Sequence, residues 1–143
     1  MAESMRADDA GFAQRAMLRV VIGENNADLA TTFMLLLDAE PDIRCVATAA
    51  SGAAVLVALE SYAPNAYVLD LSLDDGSSLP LIATLRARQP QAVIIVHTGH
   101  KSELLVQQCV STGADAVVLK TGDIDALTAA LRQAARRPDR AWN

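Results

Sequence analysis

The stretch AYVLDLSLDDGSS, residues 66–78, begins as an unbroken apolar run, Ala66-Tyr67-Val68-Leu69, and that run ends on a carboxylate, Asp70. An ionised carboxylate at the margin of an apolar core is costly unless a cation or hydrogen-bond donors meet it. The stretch therefore asks for a strand buried on both faces and for a positive charge near its carboxyl end.

Four more apolar runs read as strands: residues 18–22, 43–48, 92–96 and 116–119. Several are apolar without alternation, the pattern of a parallel sheet covered on both sides. Segments with helical spacing lie between and after them. Their expected inner faces are Leu29, Phe33, Leu36 and Leu37; then Val55, Leu56 and Leu59; then Leu81, Ile82 and Leu85; then Leu105, Val106 and Cys109; then Ile124, Leu127, Leu131 and Ala134. Ser51, Ser77 or Ser78, Ser102 and Asp123 stand where helix N-caps belong, and Pro80 suits an early helical position. Pro41, Pro64 and Pro90 fall between elements. Five strand–helix units in this order predict an α/β fold with a doubly wound, five-stranded parallel sheet, because parallel neighbours need crossover connections.

Composition narrows the function. The chain has 143 residues, 52% of them hydrophobic and only 3% aromatic, which suits one domain with an aliphatic core. A net charge of −5 without a basic stripe argues against direct nucleic-acid binding. Cys45 and Cys109 are far apart and read as reduced thiols of a cytoplasmic protein. No segment reads as a membrane span. Residues 1–17 carry early acids and no apolar centre, so they read as a flexible N-terminal extension rather than a secretory signal, with a domain over 18–137 and a tail over 138–143.

Ligands of such folds gather at the carboxyl ends of the strands. The residues there are Glu24 and Asn25 after the first strand, Asp70 after the third, Thr98 after the fourth and Lys120 after the fifth. Lys120 is the candidate counterion for Asp70. Plainer readings exist: Asp70 as a turn former, Lys120 as a solvated residue, Thr98 as a strand end, Glu24 as a helix-start charge. His97 and His100 are too few for a zinc site. GHKS, residues 99–102, is no phosphate loop, since Ile95 and His100 stand where glycines are needed. Arg132, Arg136 and Arg137 read as complements to a helix C-terminus.

Four segments taken together, LRVVIGENNADLA (18–30), YVLDLSLDDGSS (67–78), VIIVHTGH (93–100) and GADAVVLKT (113–121), resemble the signature segments of the receiver domain of bacterial two-component response regulators. The wording is closest to receivers linked to LuxR-type output domains. The resemblance spans residues 18–137 and implies the (βα)5 flavodoxin-like receiver fold. It implies that Asp70 accepts a phosphoryl group from a sensor histidine kinase or phosphotransfer protein. Lys120, Thr98 and Gly99 would then surround that group. Mg²⁺ would be held by Glu24, Asn25, Asp70 and the Ser72 backbone carbonyl. It further implies a cytoplasmic signalling domain that is no enzyme beyond assisting its own phosphorylation and dephosphorylation. A homodimer could form through the last strand and the fourth and fifth helices.

The chain departs from the family pattern at four places. Asn25 stands where an acid is usual, which implies weak Mg²⁺ binding. Val117 replaces a switch ring, Thr121 replaces a proline after Lys120, and Asp74 replaces a proline after the acceptor. Asn25 and Val117 leave open a pseudo-receiver, a binding module that is not phosphorylated. An aspartate-nucleophile phosphohydrolase would want an Asp at 72, where Ser72 stands. The sequence ends at RRPDRAWN (136–143), with no output domain expected within it.

Overall fold

Each apolar run becomes a strand. The computed structural model describes residues 17–140; all but the last residue of the expected extension over 1–17 and the last residues of the expected tail lie outside them. In chain order the elements are β1 (Leu18–Gly23), α1 (Ala27–Asp38), β2 (Ile43–Ala49), α2 (Gly52–Tyr62), β3 (Ala66–Leu69), β4 (Ser72–Leu73), β5 (Gly76–Ser77), α3 (Leu79–Arg88), β6 (Val93–Thr98), α4 (Glu103–Thr112), β7 (Ala116–Leu119) and α5 (Ile124–Ala135). The large sheet has the order β2-β1-β3-β6-β7 and is parallel throughout. β4 and β5 pair separately as a small antiparallel hairpin. The expected doubly wound five-stranded parallel sheet is thus the observed one.

Alternation along the strands splits the core between two layers. Val21, Tyr67, Leu69, Ile94, Val96 and Val117 face α2, α3 and α4. Val20, Ile22, Val68, Ile95 and Val118 face α1 and α5. β3 and β6 are buried along their whole length, which explains why these runs are apolar without a break.

Helix starts follow local chemistry. The side chains of Ser51, Ser102 and Asp123 accept hydrogen bonds from the amides of Ala54, Leu105 and Asp125, as expected of caps. Asn26 caps α1 through the Leu29 amide, a cap the sequence reading did not single out. α1 also turns differently from expectation. Ala30, Phe33 and Leu37 are buried, whereas Leu29 and Leu36 are exposed. Ala30 and Leu29 lie about 100° apart around the helix, so only one can face the sheet, and the small side chain lets α1 sit close. On α4 only Cys109 is fully buried, and Leu105 and Val106 are half-buried. Cys45 is half-buried and free.

Arg132, Arg137 and Arg140 form specific ion pairs rather than merely complementing a helix end. Arg132 grips Asp42 through Nε and Nη2 at 2.9 and 2.8 Å and reaches Glu40 at 2.6 Å. The buried carboxylate of Asp115 receives Arg86, Arg137 and Arg140 at 3.1, 2.8 and 2.7 Å, and the Ile94 amide at 2.8 Å.

β6 runs two residues past its expected end, so His97 lies inside the sheet opposite Val118. It is buried, with its ring edge-to-face on Phe33 at 4.8 Å. Burial, and then the nearby Lys120 ammonium, lower its pKa from 6.5 to about 4, against an opposing pull from Asp70. The unfolded imidazole takes a proton near pH 6.5, while the folded one stays neutral down to about 4. Stability present above pH 6.5 is therefore lost as pH falls toward 4. Urea unfolding at pH 7 and pH 5 should show His97→Leu losing about 1–2 kcal/mol less than the parent over that interval. Equal losses in both proteins would acquit His97.

Candidate functional site

Parallel order brings the carboxyl ends of β1, β3, β6 and β7 to one edge, and the expected residues arrive there with them. Asp70 follows β3, and its amide donates to the Gly23 carbonyl at 2.8 Å. A Cβ on Gly23 would lie 2.9 Å from the Leu69 side chain, so a larger residue there would force that buried side chain to shift. Lys120 follows β7, its amide donating to the Thr98 carbonyl at 2.7 Å.

The Lys120 ammonium donates to Asp70 Oδ2 at 2.7 Å and to Glu24 Oε1 at 2.5 Å. This is the positive charge that residues 66–78 called for, joining groups 50 and 96 positions apart. All three side chains are less than one-fifth exposed. Burial alone would push the lysine toward its neutral form, but hydrogen bonds to Asp70 and Glu24, reinforced by their charges, raise its pKa above the ordinary value.

Glu24 is buried and doubly engaged. Its second oxygen, Oε2, accepts from the Asn26 amide at 3.0 Å. Glu24 therefore lies just ahead of α1, outside the helix itself. Asn25 is exposed, and among the described residues Lys120 Nζ has Glu24 and Asp70 as its hydrogen-bond partners. Thr98 is buried at the end of β6, and its Oγ1 accepts from the His100 amide at 3.3 Å. Gly99 is exposed, and a Cβ there would meet nothing within 4 Å, so the approach beside Thr98 is open. The Ser72 amide makes a long hydrogen bond, 3.3 Å, to Asp70 Oδ1. Val117 is buried in the α2–α3–α4 layer.

Oxygens of Asp70, Glu24, Asn25 and the Ser72 carbonyl are the hard donors that Mg²⁺ prefers. Among the described residues, however, no group of three or more His, Cys, Asp or Glu is assembled for a metal. Both Glu24 oxygens already have donors, and Asn25 brings no charge. The oxygens present match the donor chemistry of magnesium, with one carboxylate fewer than two acids after β1 would supply.

Two residues shape this edge through partners that sequence reasoning did not foresee. Ser78 is buried; its hydroxyl donates to the Asp70 carbonyl at 2.5 Å instead of capping α3, and its amide donates to the Leu71 carbonyl at 2.7 Å. Asp75 spans to α2, accepting from the Gly52 and Ala53 amides at 2.7 and 3.0 Å. The Asp-Asp-Gly turn signalled a tight reversal, but nothing local named the remote partner.

Residues 20–132 match the family model described as the response regulator receiver domain. The oxygen regulatory protein NreC of Staphylococcus haemolyticus is 29% identical over 117 residues, 80% of this chain and 54% of that protein. The chain thus spans about half the length of the curated relatives it matches. Among solved structures, the receiver domain of the putative response regulator NarL from Mycobacterium tuberculosis superposes with a TM-score of 0.75 at 23% identity, covering 85% of this chain and 98% of that one. A DNA-binding response regulator of the LuxR family from Staphylococcus aureus gives 0.76 at 22% identity, covering 84% and 100%. These two likenesses concern the fold. The family match takes in the carboxyl end of every strand in the large sheet, with Asp70 and Lys120 among them, and on that ground the chain belongs to the response regulator receiver domain family.

Proposed function

We propose that this receiver domain accepts a phosphoryl group on Asp70 from a phosphohistidine of a sensor histidine kinase or phosphotransfer protein. The observation that carries the reading is Lys120 held between Asp70 and Glu24 beside the open approach at Gly99. A carboxylate oxygen of Asp70 attacks phosphorus, the P–N bond breaks, the imidazole leaves, and an acyl phosphate forms. Such transfer depends on positioning and on neutralising phosphoryl oxygens rather than on further covalent chemistry. Lys120 holds the free carboxylate in place and then pairs with the phosphoryl group. The Thr98 hydroxyl donates to a phosphoryl oxygen. Asp70, the Ser72 carbonyl, Asn25 and Glu24 would hold Mg²⁺, which when bound neutralises phosphoryl charge.

With Val117 in place of a ring, the signal leaves through the loop after Thr98 and through α4. Leu104, Val110 and Leu119 are exposed on that side. These residues of α4 and β7, with the neighbouring α5, form the face we assign to a partner or a second copy. We assign no nucleic-acid contact to this chain's surface: Arg86, Arg132, Arg137 and Arg140 are already paired with acids. A cytoplasmic location fits this role, and no helix among the described residues is long and apolar enough to cross a membrane. Asn25 and Val117 favour one second reading, an unphosphorylated pseudo-receiver.

Covalent labelling separates the two readings. Phosphoramidate or acetyl phosphate with Mg²⁺ should add one phosphoryl group, mapped to Asp70 by peptide mass, and Asp70→Asn should abolish it. Labelling that persists in the variant, or is absent from the parent at high Mg²⁺, overturns the acceptor assignment.

Asn25→Asp restores a charge beside the metal position. Mg²⁺ titration should show about tenfold tighter binding, roughly 1.4 kcal/mol, with lower thermal stability in the absence of metal as carboxylates crowd Lys120. Unchanged affinity would mean that residue 25 does not reach the metal.

Hydrogen exchange with and without beryllofluoride tests the output surface. Changes are expected in residues 99–112 and β7. Uniform changes, or changes confined to α2, would remove the case for α4.

A further inference from the structure

The hairpin that follows the acceptor is fastened at both ends, and one fastening depends on a residue unusual for the family. At its base, Ser78 binds the Asp70 and Leu71 carbonyls. At its tip, the chain reaches the junction of β2 and α2. The Asp74 amide donates to the Ala50 carbonyl at 3.0 Å. A proline at position 74, the residue common in the resembled family, has no N–H and could not form this bond. The Asp75 carboxylate then accepts from two consecutive amides at the start of α2, Gly52 and Ala53. The next amide, Ala54, is taken by the local cap Ser51. The first turn of α2 is thus capped jointly by its own serine and by a carboxylate 22–23 positions downstream. Gly76, at φ +119°, lets the chain turn back from this anchor into β5. Between the two fastenings lies Ser72, whose amide faces Asp70 Oδ1.

We propose that Asp75 is a positioning residue for phosphoryl transfer: by anchoring the hairpin tip to the α2 N-terminus, it holds the Asp70–Ser72 turn in the geometry the acceptor needs. The proposal deepens the acceptor reading and rests on it. A carboxylate suits the role because a helix N-terminus offers unpaired amides and a partial positive charge. The two amides in turn hold the Asp75 carboxyl below the usual carboxylate range. Asp75 itself does not enter the pocket. It acts through the backbone of residues 70–78, on which small displacements of the acceptor depend.

The test uses the full chain, with phosphoramidate and Mg²⁺ as donor and metal. Asp75→Ala should lower the phosphorylation rate at saturating donor by about tenfold, leaving the half-saturating donor concentration unchanged. Asp75→Asn, which keeps one acceptor oxygen, should recover part of the rate. Arg132→Ala breaks ion pairs with Asp42 and Glu40 at the opposite end of β2; it should lower stability and leave the rate unchanged. Without donor, amide exchange in Asp75→Ala should quicken at Gly52 and Ala53 and also across residues 71–78. If the parent is labelled and Asp75→Ala is labelled equally fast, the positioning role falls and the acceptor reading stands. A rate that simply tracks stability across all three variants also overturns it. If the parent is not labelled at Asp70 at all, both fall together.

Discussion

One ammonium group, that of Lys120, stands between two carboxylates drawn from distant parts of the chain, and the rest of the functional edge is arranged around it. Glu24, Asp70 and Lys120 come from the ends of β1, β3 and β7. They meet only because a parallel sheet of this order brings all its carboxyl ends to one side. Removing one partner from such a buried set typically costs about 3–5 kcal/mol, since it leaves a charge without compensation. The fold and the site are therefore under a single constraint: strands that register wrongly would bury an unpaired charge.

That constraint clarifies the two residues after β1. Glu24 is long enough to reach the lysine while its other oxygen takes the first amide ahead of α1. Asn25 is left facing solvent. Lys120 offsets one of the two carboxylate charges, so the resting pocket keeps a net negative charge. Chemistry at such an edge is governed by where charges sit beforehand, a matter of preorganisation.

Much of this was legible in the sequence because it is written in short-range terms. Unbroken apolar runs gave strands, spacing gave helices, and Ser51, Ser102 and Asp123 marked helix starts. The site was legible because its residues share one topological position, the strand end. What escaped was set by partners far along the chain. The outward turn of Leu29 and Leu36 depends on which stripe of α1 meets the sheet. Ser78 reads locally as a cap, yet it bonds to the Asp70 carbonyl behind it. The arginines near the C-terminus read as helix-end charges, whereas Arg132 is matched to Asp42 and Glu40, some ninety positions earlier. Local chemistry names a residue's capacity; only the fold names its partner.

The Asp115 cluster reaches beyond the segment that the family model matches. The family match closes at residue 132, and helical periodicity fades a few residues later. The packed structure continues to Arg140, whose side chain is 5% exposed and supplies one of three guanidinium groups on the buried Asp115 carboxylate. A protein trimmed to the matched segment would keep every residue of the pocket, yet lose two of the three cations on that carboxylate. Residues 137 and 140 are thus tied to the sheet by charge rather than by apolar packing, beyond the last helix.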